Sequence, residues 1–266
     1  MDLSEYLSQH TFVKAFVKGP SGEGKTVLAA QVTHLWNTLY IDAEGGVVSA
    51  IPFMKRENVT VRIIREQDAG AFFLRLQEAM DEVDTGQYEC VVVDSLTEIA
   101  SRMEDEYAIK GETGFDKWSG LLERMKRFSR RLRDMNCHVV ATGITKPIGR
   151  EDAGSVYEPA ISGQAAAFVP SYFDVVGLMR KRSTKSMTEY YFTTSGPSVY
   201  QVRDRWRALA PEERVDEAKP GEVWKKLWAG IQKVAQAGAP ALPAPAPAPA
   251  PAAPPQAAPT RASRSR

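Results

Sequence analysis

A glycine-rich segment of eight residues constrains the fold of this chain more than any other feature of its sequence. Residues 19–26 read Gly-Pro-Ser-Gly-Glu-Gly-Lys-Thr and match the phosphate-binding pattern G-x-x-x-x-G-K-[ST] at every fixed position. The apolar run 12–17 before it predicts a buried strand, and apolar residues at helical spacing over 27–36 predict a helix after it. A chance glycine turn is the alternative, which these flanking patterns disfavour. The segment therefore predicts a binding site for a nucleoside triphosphate.

The residue types of this segment suit that ligand. Glycines let the chain turn tightly, so that backbone N–H groups point at phosphate oxygens, and the following helix directs its positive end at the same anion. Lys25 is expected to bridge the β- and γ-phosphates, and the Thr26 hydroxyl is expected to ligate Mg²⁺. The predicted nucleotide-binding residues of this segment are Gly19, Pro20, Ser21, Gly22, Glu23, Gly24, Lys25 and Thr26.

Composition bounds the rest of the chain. Its 266 residues can hold one large domain or two small ones, and repeated strand–helix units predict one α/β domain over 11–236. Residues 1–10 form a short polar lead, and the Ala/Pro-rich residues 237–266 predict a disordered tail with a basic end. A net charge of +1 gives no global attraction to nucleic acid or membrane, and no apolar run approaches the length of a membrane span.

Hydrophobic periodicity divides this domain into strands and helices. The predicted strands are 12–17, 38–43, 59–64, 90–95 and 137–143, followed by three short, antiparallel strands at 173–180, 189–194 and 198–203. The predicted helices are 27–36, 69–83, 96–109, 117–135 and 223–236. Residues 145–167 are rich in Gly, Pro and polar groups and predict a long mobile loop, which is usually functional at that length. Cys90 and Cys137 each open an apolar run and are interpreted as buried thiols, with a disulfide between them as the alternative.

Asp94 is the predicted second acidic element of the site. It ends a continuous apolar run, as a strand buried on both faces of a parallel sheet does, and it is expected to hold Mg²⁺ through water. The next residue is Ser95, so the carboxylate that activates the attacking water must come from elsewhere. Glu44, at the C-terminal end of a predicted strand, is the expected catalytic carboxylate, with a simple turn role as its competing interpretation. Glu98 is the alternative base.

Two threonines and two arginines complete the predicted site. Thr142 and Thr145 leave a predicted strand where a polar residue can sense the γ-phosphate, although a surface turn explains them as well. Arg203 and Arg205 are candidate arginine fingers, delivered across a subunit interface to offset charge on the transferring phosphoryl group. A strand-end ion pair with Asp204 is the competing interpretation of both.

Candidate nucleic-acid contacts are dispersed along the chain. The helix predicted over 117–135 is rich in Lys and Arg, which indicates either a nucleic-acid footprint or a solvated face. The long loop is not basic overall and would contact DNA through backbone N–H groups and stacking of an aromatic ring. The individual candidates are Lys110, Lys146, Arg150 and Tyr157.

Together these motifs resemble the RecA/Rad51 recombinase core. The segment Ile-Asp-Ala-Glu at 41–44 resembles the strand that ends in the family's catalytic glutamate, and Val-Val-Asp-Ser at 92–95 resembles its second acidic motif. Residues 110–116 and 146–167 fall where that family has its two DNA-binding loops. Over about 12–206 the set of motifs is most similar to the small single-domain RecA-like ATPases of bacteriophages, which include single-strand annealing proteins.

The resemblance implies a RecA-like P-loop core in which helices flank a mainly parallel central sheet, with an antiparallel C-terminal hairpin extension. It implies ATP and Mg²⁺ as cofactors, ATP hydrolysis stimulated by single-stranded DNA, and strand annealing or pairing in phage recombination in the host cytoplasm. The implied partners are single-stranded DNA, further copies in a ring or short filament, and a phage single-strand-binding protein. A helicase or motor ATPase and a non-catalytic, ATP-gated scaffold are the alternatives.

Overall fold

The computed structural model describes residues 11–150, 154–184 and 187–236, with side chains throughout except at 147–150, 154–156 and 199. The strands are β1 Lys14–Gly19, β2 Thr38–Asp42, β3 Val59–Ile63, β4 Cys90–Asp94, β5 His138–Arg150, β6 Gly154–Pro159, β7 Val175–Ser183, β8 Thr188–Thr193, β9 Arg203–Asp204 and β10 Glu212–Val215. The helices are α1 Lys25–Ala30, α2 Ala69–Asp84, α3 Leu96–Ile109, α4 Gly114–Asp134, α5 Ala165–Phe168 and α6 Glu222–Gln236. The predicted lead at 1–10 and tail at 237–266 lie outside the described residues.

One sheet organises these elements. Its strands run in the order β10-β8-β7-β1-β5-β4-β2-β3, with β6 paired to β5 and β9 paired to β7. The pairs from β7 through β1, β5, β4 and β2 to β3 are all parallel, whereas β8 and β10 add to the β7 side antiparallel. The predicted fold class, an α/β fold with a mainly parallel sheet flanked by helices and an antiparallel C-terminal extension, is confirmed.

Helices cover both faces of this sheet, which explains why its central strands are apolar without alternation. On one face α2, α3, α4 and α5 pack over a core that includes Phe16, Phe72 and Leu121. On the other face α1 and α6 pack over a second core that includes Leu28 and Trp224. Because the parallel strands all end at one edge, the loops that follow β1, β2, β4 and β5 meet there.

Two sequence predictions about the second half of the domain are wrong. The residues predicted as a long loop instead continue β5 to Arg150 and return as antiparallel β6, so they form a hairpin followed by the short helix α5. The predicted third C-terminal strand at 198–203 is a 3-10 turn followed by the two residues of β9. Strand β10 was not predicted, because its four residues Glu-Glu-Arg-Val carry little apolar signal.

Most other predicted elements are confirmed to within a few residues. The predicted helix at 27–36 is shorter than expected, because α1 gives way to a 3-10 turn over Gln31–His34. The two cysteines are free thiols and both are buried, as interpreted from the sequence. None of the helices in the described ranges is long and apolar enough to cross a membrane.

Candidate nucleotide-binding site

The phosphate-binding turn lies between β1 and α1, as its sequence pattern predicts. Gly22 and Gly24 adopt φ angles of 75° and 82°, in the left-handed region that favours glycine. Gly19 lies so close to the neighbouring strand that a Cβ atom there would lie 2.8 Å from the Met179 carbonyl oxygen. The Glu23 carboxylate accepts a hydrogen bond from the Lys181 backbone N–H, which fastens the turn to the end of β7. The turn is therefore supported from the β7 side and open toward the edge of the sheet where the loops meet.

The Lys25 side chain folds back over this turn. It is buried, and its Nζ donates to the Pro20 carbonyl oxygen at 2.8 Å. Burial lowers the pKa of Lys25, and the nearby carboxylates of Glu44, Asp94 and Glu23 offset part of that shift. An ammonium has three donors, so two hydrogen atoms remain available for phosphate oxygens.

Asp94 lies at the end of β4 with both carboxylate oxygens engaged. One oxygen accepts from the Tyr40 hydroxyl at 2.7 Å, and the other accepts from the Thr142 hydroxyl. Burial, followed by the charge of Asp94, raises the pKa of Tyr40 well above its usual value, so the phenol stays a donor. These two bonds fix the orientation of the carboxylate from the strands on either side of β4.

Thr26 and Asp94 converge on one small space beside Gly46. A Cβ atom on Gly46 would lie 3.5 Å from the Thr26 hydroxyl oxygen and 4.0 Å from an Asp94 carboxylate oxygen. Hydroxyl, carboxylate and phosphate oxygens are the hard ligands that Mg²⁺ prefers, and Mg²⁺ keeps several waters when it binds with substrate phosphates. The residues present therefore fit a magnesium ion, with Thr26 as a direct ligand and Asp94 acting through water.

The loop that carries Glu44 is shaped by the buried carboxylate of Asp42. One Asp42 oxygen accepts from the N–H groups of Gly45 at 2.6 Å and Gly46 at 3.1 Å. The backbone N–H of Glu44 in turn donates to the Asp94 carbonyl oxygen at 3.1 Å, which ties the loop to β4. The Glu44 side chain is exposed, and its charge is the largest opposing influence on the pKa of Lys25. The fold thus brings the predicted catalytic carboxylate to the phosphate-binding turn.

The alternative base, Glu98, is differently engaged. It lies in the first turn of α3, where its backbone N–H donates to the Ser95 hydroxyl oxygen at 3.3 Å. Its carboxylate forms an ion pair with Arg102 at 2.8 Å, one turn further along the helix. This pairing makes Glu44 the better candidate of the two.

The two predicted sensor threonines point to opposite faces of β5. Thr142 is fully buried on the α1 face and bonds Asp94, so it belongs to the predicted metal site. Thr145 is also buried, but its hydroxyl has no hydrogen-bond partner among the described residues. Side chains alternate along a strand, so Thr145 faces the α3 side. Its role as a γ-phosphate sensor stays a prediction.

The two predicted arginine fingers lie far from the phosphate-binding turn of their own chain. Arg203 is paired with Val176, which is level with Phe16 on β1 and about 10 Å before the end of that strand. Its guanidinium donates to the carbonyl oxygen of Phe173 at 2.6 Å and to that of Pro170. Arg205, which is more exposed, forms an ion pair with Asp174 at 3.0 Å. Both arginines therefore stabilise the entry to β7, and delivery to a neighbouring subunit stays a prediction.

The candidate nucleic-acid contacts lie on two separate surfaces. Lys110, at the end of α3, is exposed and forms an ion pair with Glu106 at 2.7 Å. Lys146 and Tyr157 lie on the hairpin of β5 and β6, where the Tyr157 ring is 6.0 Å from that of Tyr200. The side chain of Arg150, on the same hairpin, lies outside the described part of the chain.

Several cations of α4 have structural partners. Arg124 pairs with Glu106 at 2.5 Å, and Arg131 contacts Asp81 at 2.7 Å and Asp84 at 2.8 Å. These contacts join α4 to α2 and α3, so part of the basic signal in this helix comes from helix packing. The nucleic-acid interpretation of the remaining cations stays a prediction.

Two residues of the site, and one buried residue beside it, were not predicted from the sequence. Tyr40 and Asp42 lie two positions apart on β2, so both side chains point to the α1 face of the sheet. Lys18 lies on β1, just before the phosphate-binding turn. The available signal was the same in each case: a polar group inside a strand that is otherwise apolar. Such a group is buried only where it finds a hydrogen-bond partner, which a sequence pattern does not identify.

Comparison with known proteins gives a family match and a solved structure of low similarity. A protein-family model described as AAA domain matches residues 11–206. A solved structure of a KaiC-like protein from the hyperthermophilic archaeon Pyrococcus horikoshii OT3 is similar, with 11% sequence identity and a TM-score of 0.43 over 68% of this chain and 79% of that chain. The comparison with curated proteins found no match. The family match, together with the turn at 19–26 and Asp94, supports a nucleotide-binding P-loop ATPase.

Proposed function

The chain belongs to the AAA domain family, and we propose that this P-loop ATPase binds single-stranded DNA and uses ATP to promote strand annealing or pairing. The proposed setting is phage homologous recombination in the cytoplasm of the bacterial host. One observation carries the proposal: β5 runs without interruption from Thr142, which bonds Asp94, into the hairpin that presents Lys146 and Tyr157. The nucleotide site and the candidate DNA-binding element are thus parts of one strand.

The residues of the site have distinct roles in the proposed reaction. Lys25 and the N–H groups of the turn bind the phosphates, and Glu44 orients the attacking water and accepts its proton. Bound Mg²⁺ would neutralise charge on the β- and γ-phosphates. Tyr40 and Thr142 hold the Asp94 carboxylate in a fixed orientation throughout.

Assembly of several copies is part of the proposal. Arg203 and Arg205 contact the entry to β7 in their own chain, and in this proposal they act on a nucleotide bound by a neighbouring copy. ATP would then lie between subunits of a ring or short filament. A phage single-strand-binding protein is the proposed further partner, since it would supply the coated DNA strand.

ATP hydrolysis measured with and without single-stranded DNA tests the proposal, together with mass photometry under both conditions. We expect DNA to raise turnover of the wild-type protein, Lys25→Ala to abolish turnover, and Glu44→Gln to retain ATP binding while turnover falls about a hundredfold or more. A gel shift of single-stranded DNA that requires ATP is the independent readout.

Other outcomes would replace the proposal. If DNA of every length tested left turnover unchanged and no gel shift appeared, DNA binding would be disproved. Unwinding of a forked duplex would instead identify a helicase or motor. Tight ATP binding with negligible hydrolysis, unaffected by Glu44→Gln, would identify an ATP-gated scaffold.

A further inference from the structure

Lys18 is a fully buried cation at the junction between the nucleotide site and the hairpin of β5 and β6. It is the residue of β1 immediately before Gly19, and its side chain is 0% exposed. Its Nζ donates to the carbonyl oxygen of Tyr157 at 2.9 Å, across 139 residues of sequence. That carbonyl belongs to β6, so a single hydrogen bond joins the phosphate-binding strand to the returning strand of the hairpin.

This ammonium is poorly compensated. Among the described residues it has one hydrogen-bond acceptor for its three donors, and the only carboxylate that opposes its desolvation is that of Glu158. Burial lowers the pKa of Lys18 to about 8. An apolar side chain of similar length would avoid the desolvation penalty at this position. The presence of a lysine therefore indicates a role other than stability.

A second buried polar group close to Lys18 also lacks a hydrogen-bond partner among the described residues. Lys18 is paired with Gly143 on β5, where a Cβ atom would lie 2.7 Å from the Phe16 ring, so the ring fills the space beside the lysine. The next residue of β5 on the same face is Thr145, whose buried hydroxyl has no partner among the described residues. Thr145 is in turn paired with Pro159 at the base of the hairpin. Two under-satisfied polar groups thus lie beneath the hairpin, next to the strand that leads into the phosphate-binding turn.

We propose that Lys18 is a positioning residue that couples the phosphate-binding turn to the hairpin. When a triphosphate binds at 19–26, the backbone of Gly19 shifts and the adjacent Lys18 moves with it. The hydrogen bond from Lys18 then transmits this shift to the backbone of Tyr157. The hairpin that presents Lys146 and Tyr157 then changes its position or its stability. The proposal rests on the proposed function, because the hairpin is the element assigned there to DNA.

Hydrogen exchange of backbone amides tests the coupling without relying on activity. Exchange over 145–159 is measured for the full chain with and without a non-hydrolysable ATP analogue and Mg²⁺. In the wild-type protein we expect nucleotide to change exchange at these amides at least fivefold. In Lys18→Met we expect this response to be lost while affinity for the analogue stays within about threefold. Lys18→Arg, which keeps the charge and the donors, should retain the response at least in part.

A matched lysine provides the control. Lys226, on α6, is itself exposed and forms an ion pair at 2.8 Å with the buried carboxylate of Glu213, which is not part of the site, so Lys226→Met should keep the full response. The coupling is overturned if nucleotide does not change hydrogen exchange in the wild-type hairpin. It is also overturned if nucleotide changes exchange in Lys18→Met as much as in the wild type. If Lys18→Met fails to fold, the exchange response to nucleotide is compared between the wild type and Lys18→Arg. Absence of that response from both proteins would overturn the proposal.

The experiment separates this inference from the proposed function. Stimulation of ATP turnover by single-stranded DNA is measured on the same samples. If DNA never stimulates the wild type, yet the hairpin response is present and depends on Lys18, the DNA assignment fails and the coupling stands. If DNA stimulates the wild type while Lys18→Met keeps the full hydrogen-exchange response, the coupling fails and the proposed function stands.

Discussion

The two ends of β1 each bury a lysine on the same face of the sheet, yet the two lysines are satisfied very differently. At the start of the strand, Lys14 donates to the carbonyl oxygens of Leu132 at 3.2 Å, Met135 at 2.6 Å and Cys137 at 2.8 Å. At the end of the strand, Lys18 donates to one carbonyl oxygen. Burial lowers the pKa of both lysines to about 8.

The difference indicates that Lys14 stabilises the fold, whereas Lys18 serves the proposed coupling. Lys14 caps the C-terminal end of α4, where unpaired carbonyl groups and the helix dipole both favour a cation. Its three acceptors account for all its donors, which fixes the helix to the sheet. Lys18 lies at the opposite end, where the loops of the nucleotide site meet, and among the described residues it has one acceptor for its three donors. The lysine at the start of β1 therefore has an acceptor for each of its donors, whereas the lysine at the end of β1 does not.

The largest expected effect is on the free energy of unfolding, which should fall much more in Lys14→Met than in Lys18→Met. Lys14→Met leaves three carbonyl groups without their donor, so we expect the free energy of unfolding to fall by about 3–5 kcal/mol. Lys18→Met leaves one carbonyl group without its donor and removes a desolvated charge, so we expect a change of about 1 kcal/mol or less. Urea denaturation of both variants and the wild type measures the difference. Equal losses in the two variants would break the comparison.

A second prediction extends the comparison to the polar residues at the site end of the sheet. Tyr40→Phe removes the hydroxyl that holds the Asp94 carboxylate at 2.7 Å. We expect binding of the divalent cation with ATP to weaken about tenfold, as is typical when an outer-shell partner is lost. Electron paramagnetic resonance with Mn²⁺ and a non-hydrolysable ATP analogue measures this affinity directly. Tyr88→Phe, on a partly buried tyrosine remote from the site, is the control, and unchanged affinity in Tyr40→Phe would refute the positioning role.

A third prediction concerns the dependence of stability on pH. The folded-state pKa of each lysine, about 8, is below the reference value of 10.5, so the unfolded chain binds more protons between these values. The free energy of unfolding therefore gains a contribution that rises with pH from about 8 to 10.5, and each Lys→Met variant should lose that contribution.

The surroundings of the two lysines decide how clearly this slope appears. Among the described residues, Glu158 is the one carboxylate whose charge raises the pKa of Lys18 against its burial, so Lys18→Met isolates a single titration. Lys14 lies near the buried thiols Cys137 and Cys90, whose raised pKa values give a contribution of opposite sign at higher pH. Urea denaturation from pH 7.5 to 10.5 measures both differences. A slope in Lys18→Met equal to that of the wild type would contradict the lowered pKa.

Local features of this protein were predictable, and features that join distant segments were not. The turn at 19–26 and the strand that ends at Asp94 depend on contiguous residues, so their patterns predicted them correctly. The position of Glu44 followed from the rule that parallel strands end at one edge. The hairpin at 145–159 was missed because its Gly- and Pro-containing sequence lacks strand periodicity, and pairing between β5 and β6 overrides that local preference.

The sequence by itself determined the chemistry of the phosphate-binding turn, the α/β class and the carboxylates available to the site, because these depend on residue type, spacing and hydrophobic period. Only the tertiary structure decided which polar groups meet: Tyr40 and Thr142 on Asp94, three carbonyl groups on Lys14, and one on Lys18. The physical reason is that a buried charge or hydroxyl is defined by the partners that replace its water. Those partners come from strands and loops that only folding brings together.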